Sequence, residues 1–231
     1  MSELFSIQLQ NRQQQGRDGV WLDLPTTTEQ VQAALRQIGI SSDNPQGLFI
    51  SGYFAEEEKR FAIPYNMVLA SNVDELNFLA SRLETLSTGE RAELNAALQA
   101  PQSELFSIGR ITDFPENVDY YVHLPDVHGP AQLGDYYLNR SGMVDMPEEW
   151  KGGIDTAQFG RYVAQQEQGA FTQYGYLVKS GDAWQKVHEG QPVPEEYRVL
   201  SLPAPEVLRD SANIPPPVQP ETEPQKVIPI I

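Results

Sequence analysis

Apolar and polar residues alternate at the start of the chain. Phe5, Ile7 and Leu9 are separated by polar residues, and this period of two predicts a half-buried strand. The turn sequence GRDG follows, and VWLDLP predicts a second strand that ends at Pro25. TTTEQVQAALRQIGI then changes to a helical period, and GLFISGY predicts another strand. Residues 1–68 are therefore expected to form a β-rich α+β domain.

Residues 69–108 have the pattern of a central helical domain. Leucines recur there at three- and four-residue spacing, as on the apolar face of a helix. Ser71 is expected to cap the first central helix, and Ser87 with Glu90 to form a capping box at the start of the second. A similar box is expected from Thr26 and Glu29 in the helix of the first domain.

The hexapeptide SELFSI occurs twice, at 2–7 and at 103–108. The first copy continues with strand alternation. In the second copy, Leu105, Ile108 and Ile111 recur at every third residue, which favours a helical turn. Because the flanking sequences share nothing further, the repeat is interpreted as a coincidence in which context overrides local sequence, and not as a domain duplication.

The remaining chain predicts a second mixed unit and a tail. Residues 109–180 alternate between strand-like and helix-like segments and are expected to form a third, α+β domain. Residues 181–202 could add a β-hairpin. Residues 203–231 are rich in proline and are expected to be a flexible tail. The predicted fold class is α+β, with two mixed α/β units flanking a helical segment.

Composition narrows the function. The chain carries 32 acidic and 16 basic residues, a formal net charge of −16, which repels nucleic acid and attracts basic surfaces. No apolar run reaches the ~18–20 residues of a membrane span. There is no secretory signal pattern and no cysteine, so a cytoplasmic location without membrane association is expected.

Candidate catalytic chemistry is sparse. The sequence has no phosphate-binding glycine loop, no G-x-S-x-G and no H-E-x-x-H. HLPDVH offers His123, Asp126 and His128 to a metal ion, or Asp126 and a histidine to a hydrolase. Pro125 favours a strand-to-loop junction there, with structural or exposed roles for these side chains. The pattern favours a binding protein over an enzyme, with no cofactor.

Three stretches together resemble one family. GVWLDLPTTTEQVQAALRQIGI is similar to a first-domain strand–helix pattern, and SNVDELNFLASRLETLSTGERAELNAALQA to a central helical segment. LGDYYLNRSGMVDMPEEWKGGIDTAQFGRYVAQQEQGAF resembles a third-domain signature. The family is the ArdA antirestriction proteins. The resemblance covers about residues 17–180 and implies an elongated three-domain homodimer that is carried by mobile elements. It also implies DNA mimicry, with the protein in the DNA-binding groove of type I restriction-modification enzymes.

The resemblance singles out two sets of residues. The dimer interface is expected at 143–150, through Met143, Val144, Met146 and Trp150. The candidate DNA-mimic carboxylates, acids on predicted helix faces and rims, are Asp74, Glu75, Glu84, Glu90, Glu93, Asp113, Glu116, Asp119, Asp135, Asp145, Glu148, Glu149 and Asp155.

Several alternatives stay open at the level of the sequence. Met143, Met146 and Trp150 could only close the core of the third domain. The whole chain could be a protein-binding adaptor or regulator of a mobile element, without mimicry. Arg140, Lys151 and Arg161 interrupt the acidic segment, which leaves open a weak affinity for type I enzymes or another DNA-binding target.

Overall fold

The computed structural model describes residues 4–14, 18–41, 44–56 and 60–200. Within those ranges the protein is a mixed α/β structure with eight α-helices and two three-stranded antiparallel sheets. The sequence-based fold class is confirmed at this level. The expected tail at 203–231 lies outside the described residues.

The first sheet has the strand order β2–β1–β3. Its strands are β1 (Phe5–Asn11), β2 (Val20–Leu24) and β3 (Leu48–Phe54), and β1 is antiparallel to both neighbours. The predicted alternation is confirmed, since every second residue of β1 is buried. Helix α1 (Thr28–Gln37) packs next to β2 and buries its own apolar face.

The capping box of α1 lies one residue later than the sequence predicts. Thr27 is the N-cap, and its hydroxyl accepts a hydrogen bond from the backbone N–H of Gln30. The Gln30 side chain accepts in return from the Thr27 N–H. The predicted pair of Thr26 and Glu29 is therefore wrong. Thr26 has another role, because its N–H donates to the side-chain oxygen of Asn77 at 2.7 Å.

Three helices follow the first sheet: α2 (Tyr65–Leu69), α3 (Val73–Leu83) and α4 (Thr88–Gln99). The capping box of Ser87 and Glu90 at the start of α4 is confirmed. Helix α3 begins with Asn72 as its N-cap, paired with Glu75, and not with Ser71 as predicted. The Ser71 hydroxyl instead donates to the Met67 carbonyl in the preceding helix.

The two copies of SELFSI differ in structure. The described part of the first copy lies largely in β1. In the second copy, α5 (Ile108–Thr112) begins only at the last residue, with Ser107 as its N-cap. The predicted helical turn is therefore present, but it includes only the last residue of the second copy. The serines explain the delay, because Ser103 and Ser107 accept from backbone amides two and three residues ahead, which caps the chain before a helix can form.

The second sheet has the order β4–β6–β5. Strand β4 (Tyr121–Leu124) follows two 3₁₀ turns, Phe114–Glu116 and Val118–Tyr120. The strands β5 (Ala170–Thr172) and β6 (Gly175–Lys179) form a hairpin. Three helices lie between β4 and β5, and their bounds are α6 (Pro130–Asn139), α7 (Glu148–Lys151) and α8 (Thr156–Glu167).

Residues 181–200 contain no strand, so the hairpin expected over 181–202 is not present in its described part. The segment runs back over the central helices and has one 3₁₀ turn, Glu195–Tyr197. Its backbone amides are bound by side chains instead of by a partner strand. Asp113 accepts three of them and Asp74 two.

One buried cluster connects most of the molecule. It runs from the first sheet through α1, α3 and α4 to α5, and includes Tyr121 and Leu177 of the second sheet. Val199 and Leu200 close it. A smaller cluster holds the second sheet against α6 and α8 around Leu133 and Tyr176. The division at 68, 108 and 180 into three domains stays a prediction.

Candidate functional site

The candidate carboxylates separate by exposure. Five are fully exposed, and four of these five lie in the connection between α6 and α8, here called the acidic connection (residues 140–155). The exposed five are Asp119, Asp145, Glu148, Glu149 and Asp155. Most of the exposed candidate acids thus lie in one segment, and most of the other candidates are partly or wholly buried.

The two helices that carry the acidic connection cross in close contact. Gly134 on α6 and Gly160 on α8 lie at the crossing, where a Cβ on either would collide with a backbone carbonyl oxygen of the other helix. Asp155 fixes the start of α8, since its carboxylate accepts from the N–H groups of Ala157 and Gln158 at 2.9 and 3.0 Å. The connection therefore begins and ends on a packed helix pair.

The two basic residues of the acidic connection pair with carboxylates that are close in sequence. Lys151 pairs with Glu148 at 2.9 Å, and Arg140 pairs with Asp135 at 2.8 Å. Among the described residues, Asp145 and Glu149 have no hydrogen-bond or ion-pair partner, so their charges face solvent. Of the three interrupting cations, only Arg161 on α8 is exposed without an ion pair in the described part of the chain.

Apolar side chains in the same connection are also exposed. Met143 is 76% exposed and Trp150 66%, whereas Val144 and Met146 are partly buried. Closure of the core by Met143 and Trp150 is therefore wrong. Exposed large apolar groups beside carboxylates are typical of a protein interface.

Two of the candidate acids serve the fold. Asp113 is completely buried, and its carboxylate accepts from the backbone N–H groups of Val187, His188 and Glu189 at 2.6–3.3 Å. It cannot face a partner, which corrects its assignment as a surface carboxylate. Asp74 is half-buried and accepts from Val199 and Leu200 at 2.7 and 2.8 Å.

Glu75 and Glu90 complete capping boxes but stay partly exposed. The Glu90 carboxylate accepts from the Ser87 N–H at 2.7 Å. Hydrogen bonds from the side chain and backbone of Ser87 hold the pKa of Glu90 below its usual value. Both side chains satisfy backbone N–H groups at a helix N-terminus, where negative charge is favoured.

Glu93 on α4 is an unusual carboxyl. Burial raises its pKa to about 8, and the nearby carboxylates of Glu90 and Asp119 contribute to the increase. Its buried oxygen Oε1 has no hydrogen-bond partner among the described groups. At neutral pH this group is largely protonated, so it adds little to the acidic surface.

The last three candidates are partly covered. Glu116 forms an ion pair with Arg82, and Glu84 is half-buried at the end of α3. Asp135 accepts from Asn139 and Arg140, and the hydrogen bond from Asn139, together with the Arg140 pair, lowers the pKa of Asp135.

Sequence reasoning missed several acids. Glu195 and Glu196 are exposed in the second PEE motif, PEEY, which parallels the PEEW of the acidic connection and could have been found by that likeness. Glu104 pairs with both Arg110 and Lys179, and Glu167 accepts from two tyrosines, Tyr137 and Tyr176. These long-range partners leave no local signal in the sequence.

The residues proposed for metal binding or hydrolysis do not converge. His123 Nε2 lies 2.8 Å from the Tyr174 carbonyl oxygen, while Asp126 and His128 are exposed. Across the described ranges, no group of three metal-ligating side chains was found. No helix in those ranges is long and apolar enough to span a membrane.

Comparison with protein families gives a match to the family model described as antirestriction protein (ArdA), over residues 15–178. Comparison with curated protein sequences gives no match. The family match covers β2 and β3 of the first sheet, the central helices, and the acidic connection through to β6. It coincides with the span of the resemblance read from the sequence. The chain belongs to the ArdA family of antirestriction proteins.

Proposed function

We propose that this protein is a DNA mimic that occupies the DNA-binding groove of a type I restriction-modification enzyme and so protects incoming mobile DNA. Membership of the ArdA family implies antirestriction function and interaction with restriction-modification enzymes. Mimicry is the physical means that we infer for that interaction. No bond is made or broken, so the protein acts by binding alone.

The observation that carries the proposal is the acidic connection. B-DNA presents about one negative charge per ~1.7 Å of axis, and a DNA-binding groove supplies Lys and Arg to match it. Asp145 and Glu149 present unpaired charge, and Glu148 and Asp155 are exposed beside them. The basic groove can bind these carboxylates in place of DNA phosphates, with no contact to bases. The net charge of −16 increases the rate of association with the groove.

The mimic surface proposed here is smaller than the set predicted from sequence. Asp113 is buried, Asp74 binds the backbone of 199–200, and the proton on Glu93 removes its charge. The surface centres on the acidic connection, with Asp119, Glu75 and Glu90 on the 3₁₀ turn and the two central helices.

The exposed apolar residues support a proposal of a second role for the acidic connection. We propose that Met143 and Trp150, with Val144 and Met146, form the contact between two copies. A two-fold dimer uses the same patch on both subunits and doubles the charge to −32, which suits a partner with two-fold symmetry. In this arrangement the carboxylates of the two connections lie close to the dimer axis.

A cleavage assay tests the proposal. A type I restriction enzyme cuts unmodified plasmid DNA in the presence of increasing protein, at low and at high salt. We expect inhibition that saturates near one dimer per enzyme and weakens with salt, because the contact is between charges. The protein's dimeric state is checked by sedimentation in the same buffers.

Absence of inhibition at large excess, with folded and dimeric protein, would remove the type I enzyme as the target. The adaptor function, which needs no mimicry, would then account better for the chain. Inhibition that is insensitive to salt would retain the target but contradict an electrostatic mimic.

A further inference from the structure

We propose that the outer face of the first sheet is a docking site for arginine side chains of a basic partner protein. The site consists of Trp21 and Phe54, here called the aromatic platform, with the carboxylate of Asp23 beside them. We take this partner to be the same DNA-binding protein that the acidic connection binds, and this identification rests on the proposed function. The recognition of arginine rests on the platform alone.

The platform faces away from the core. Phe5, Ile7 and Leu9 bury one face of β1 with α1 and α3 on the same side of the sheet, so residues that alternate with them face outwards. On this outer face Trp21 is 50% exposed and Phe54 58%. Their rings meet edge to face, with centroids 6.4 Å apart and an interplanar angle of 74°.

A glycine shapes the platform. Trp21 lies on β2 and Phe54 on β3, so the indole extends across the central strand β1 towards β3. Gly52 makes this possible, because a Cβ there would lie 3.0 Å from both Trp21 Cη2 and Gln8 Cβ. The ring is therefore supported by three strands, and a rigid exposed aromatic surface loses little entropy when a partner binds.

Charge around the platform favours a cation. Asp23 and Phe54 are the two cross-strand neighbours of Ser6, and the Ser6 hydroxyl donates to Asp23 Oδ1 at 2.6 Å. The sequences of the three strands, FSIQLQN, VWLDL and LFISGYF, contain no lysine or arginine. A guanidinium stacks on an aromatic face and binds a carboxylate with its donors, which makes arginine the side chain that matches this surface.

The same chemistry occurs inside the molecule. The Arg110 guanidinium lies 4.6 Å from the centroid of the exposed Phe106 ring and pairs with Glu104 and Glu189. At Phe106 the chain supplies its own cation. At the aromatic platform the three strands supply only the rings and the carboxylate, so we propose that the partner supplies the cation.

Trp150 is a weaker candidate for the same role. It lies on α7, a helix of four residues, next to Lys151. The platform by contrast is built on strands whose own residues include no lysine or arginine. Nucleic acid is a poor occupant, because a chain with a net charge of −16 repels phosphate.

The experiment uses full-length protein and two peptides. Acetylated tetra-arginine amide is titrated into ¹⁵N-labelled protein, and the indole N–H resonances of Trp21, Trp150 and Trp184 are followed. Tetra-citrulline, which has the same shape without the charge, is the matched probe. The Trp21→Leu variant is compared with Phe106→Leu, whose ring already has an internal cation, and Phe54→Leu is used if Trp21→Leu does not fold.

We expect a saturable shift of the Trp21 resonance with tetra-arginine and none with tetra-citrulline. Trp21→Leu should weaken peptide binding roughly two- to fivefold, as expected for loss of an exposed cation–π contact, and Phe106→Leu should leave it unchanged. In the cleavage assay, half-inhibition should need two- to fivefold more Trp21→Leu protein than wild type.

Other outcomes would overturn the proposal. Equal shifts with tetra-citrulline would show apolar stacking without recognition of the charge. A response at Trp150 alone would place cation binding at the acidic connection. Trp21 shifts that depend on protein concentration, without peptide, would show that a second copy of the protein binds this face. If the wild-type Trp21 resonance does not respond to tetra-arginine and Trp21→Leu inhibits the restriction enzyme as strongly as wild type, only this inference is contradicted. Failure of the wild type to inhibit, with a Trp21 response intact, contradicts only the proposed function.

Discussion

Acidic residues of similar sequence context have very different roles in this protein. Asp113 organises a loop, Glu90 caps a helix, Glu93 holds a proton and Glu149 presents free charge. The differences follow from burial and from backbone N–H groups that arrive from distant parts of the chain. Two of these roles lead to predictions about single residues.

Asp113 should be essential for the fold. Asp113→Asn replaces one acceptor oxygen by an amide that faces backbone donors, and it leaves part of three buried hydrogen bonds unsatisfied. We expect a loss of about 1–3 kcal/mol in the free energy of unfolding, measured in urea. Asp119→Asn, which removes an exposed carboxylate nearby in sequence, is the control and should change stability by less than about 0.5 kcal/mol. Equal effects would contradict the anchoring role of Asp113.

Glu93 should make stability depend on pH. The folded protein keeps the Glu93 proton up to about pH 8, while the unfolded chain releases it near pH 4.5. Between these values the folded state binds more protons, so the contribution of Glu93 to the free energy of unfolding decreases as pH rises. The Glu93→Gln variant should lose less stability than wild type between pH 5.5 and pH 8.5. Glu196→Gln, which removes an exposed carboxylate that is not among the charges acting on Glu93, is the control. A pH profile of stability that Glu93→Gln leaves unchanged would contradict the raised pKa.

At the scale of elements, the α6–α8 pair determines where the acidic connection lies. The helices approach closely enough that their backbones touch at two glycines. Gly160→Ala would place a methyl group against the Pro130 carbonyl oxygen, and Gly134→Ala one against the Thr156 carbonyl oxygen. Backbone atoms cannot move aside as the end of a flexible side chain can, so the helices must separate.

We therefore expect each of these variants to lose about 1–3 kcal/mol of stability, measured by urea unfolding. Inhibition of the restriction enzyme should also weaken, because the connection moves with its helices. Gly89→Ala in α4 is the matched control: no atom lies within 4 Å of its Cβ, and alanine favours a helix. Wild-type stability in Gly160→Ala would contradict the close crossing.

Elements with strong local patterns could be predicted from the sequence. The alternation of Phe5, Ile7 and Leu9, and the serine–glutamate box of α4, identify β1 and the start of α4 correctly. A helix boundary could not be predicted where two adjacent residues can both act as the N-cap. Thr26 and Thr27 both fit the capping pattern, and only the tertiary hydrogen bond from Thr26 to Asn77 distinguishes them.

Residues 181–200 show the limit of local patterns more clearly. Their amides bind Asp113 and Asp74, for example across 75 and 125 residues of sequence, and no periodicity within the segment encodes this. The same limit applied to the candidate site. The acidity of residues 145–155 was readable, but the burial of Asp113 and the pairing of the cations depend on tertiary contacts.

At the scale of the whole molecule, the placement of cations shapes the surface as much as the number of acids. At least six basic side chains form ion pairs with the chain's own carboxylates, and they are Arg82, Arg110, Arg140, Lys151, Lys179 and Lys186. Intramolecular pairing removes positive charge that would otherwise repel a basic groove. The net charge then increases the rate at which a basic partner is attracted from a distance, while the unpaired carboxylates stabilise the bound complex by direct contact.

This distinction can be tested with two double variants of equal charge change. Asp145→Asn with Glu149→Gln removes two unpaired charges from the acidic connection. Glu195→Gln with Glu196→Gln removes two exposed charges from the PEEY turn, where no mimic surface is proposed. If contact determines binding, the first variant should inhibit the restriction enzyme roughly 2- to 30-fold less strongly, and its inhibition should depend less on salt. The Glu195→Gln, Glu196→Gln variant should only slightly decrease the rate of association with the enzyme. Equal losses in both would mean that overall charge, and not the acidic connection, carries the inhibition.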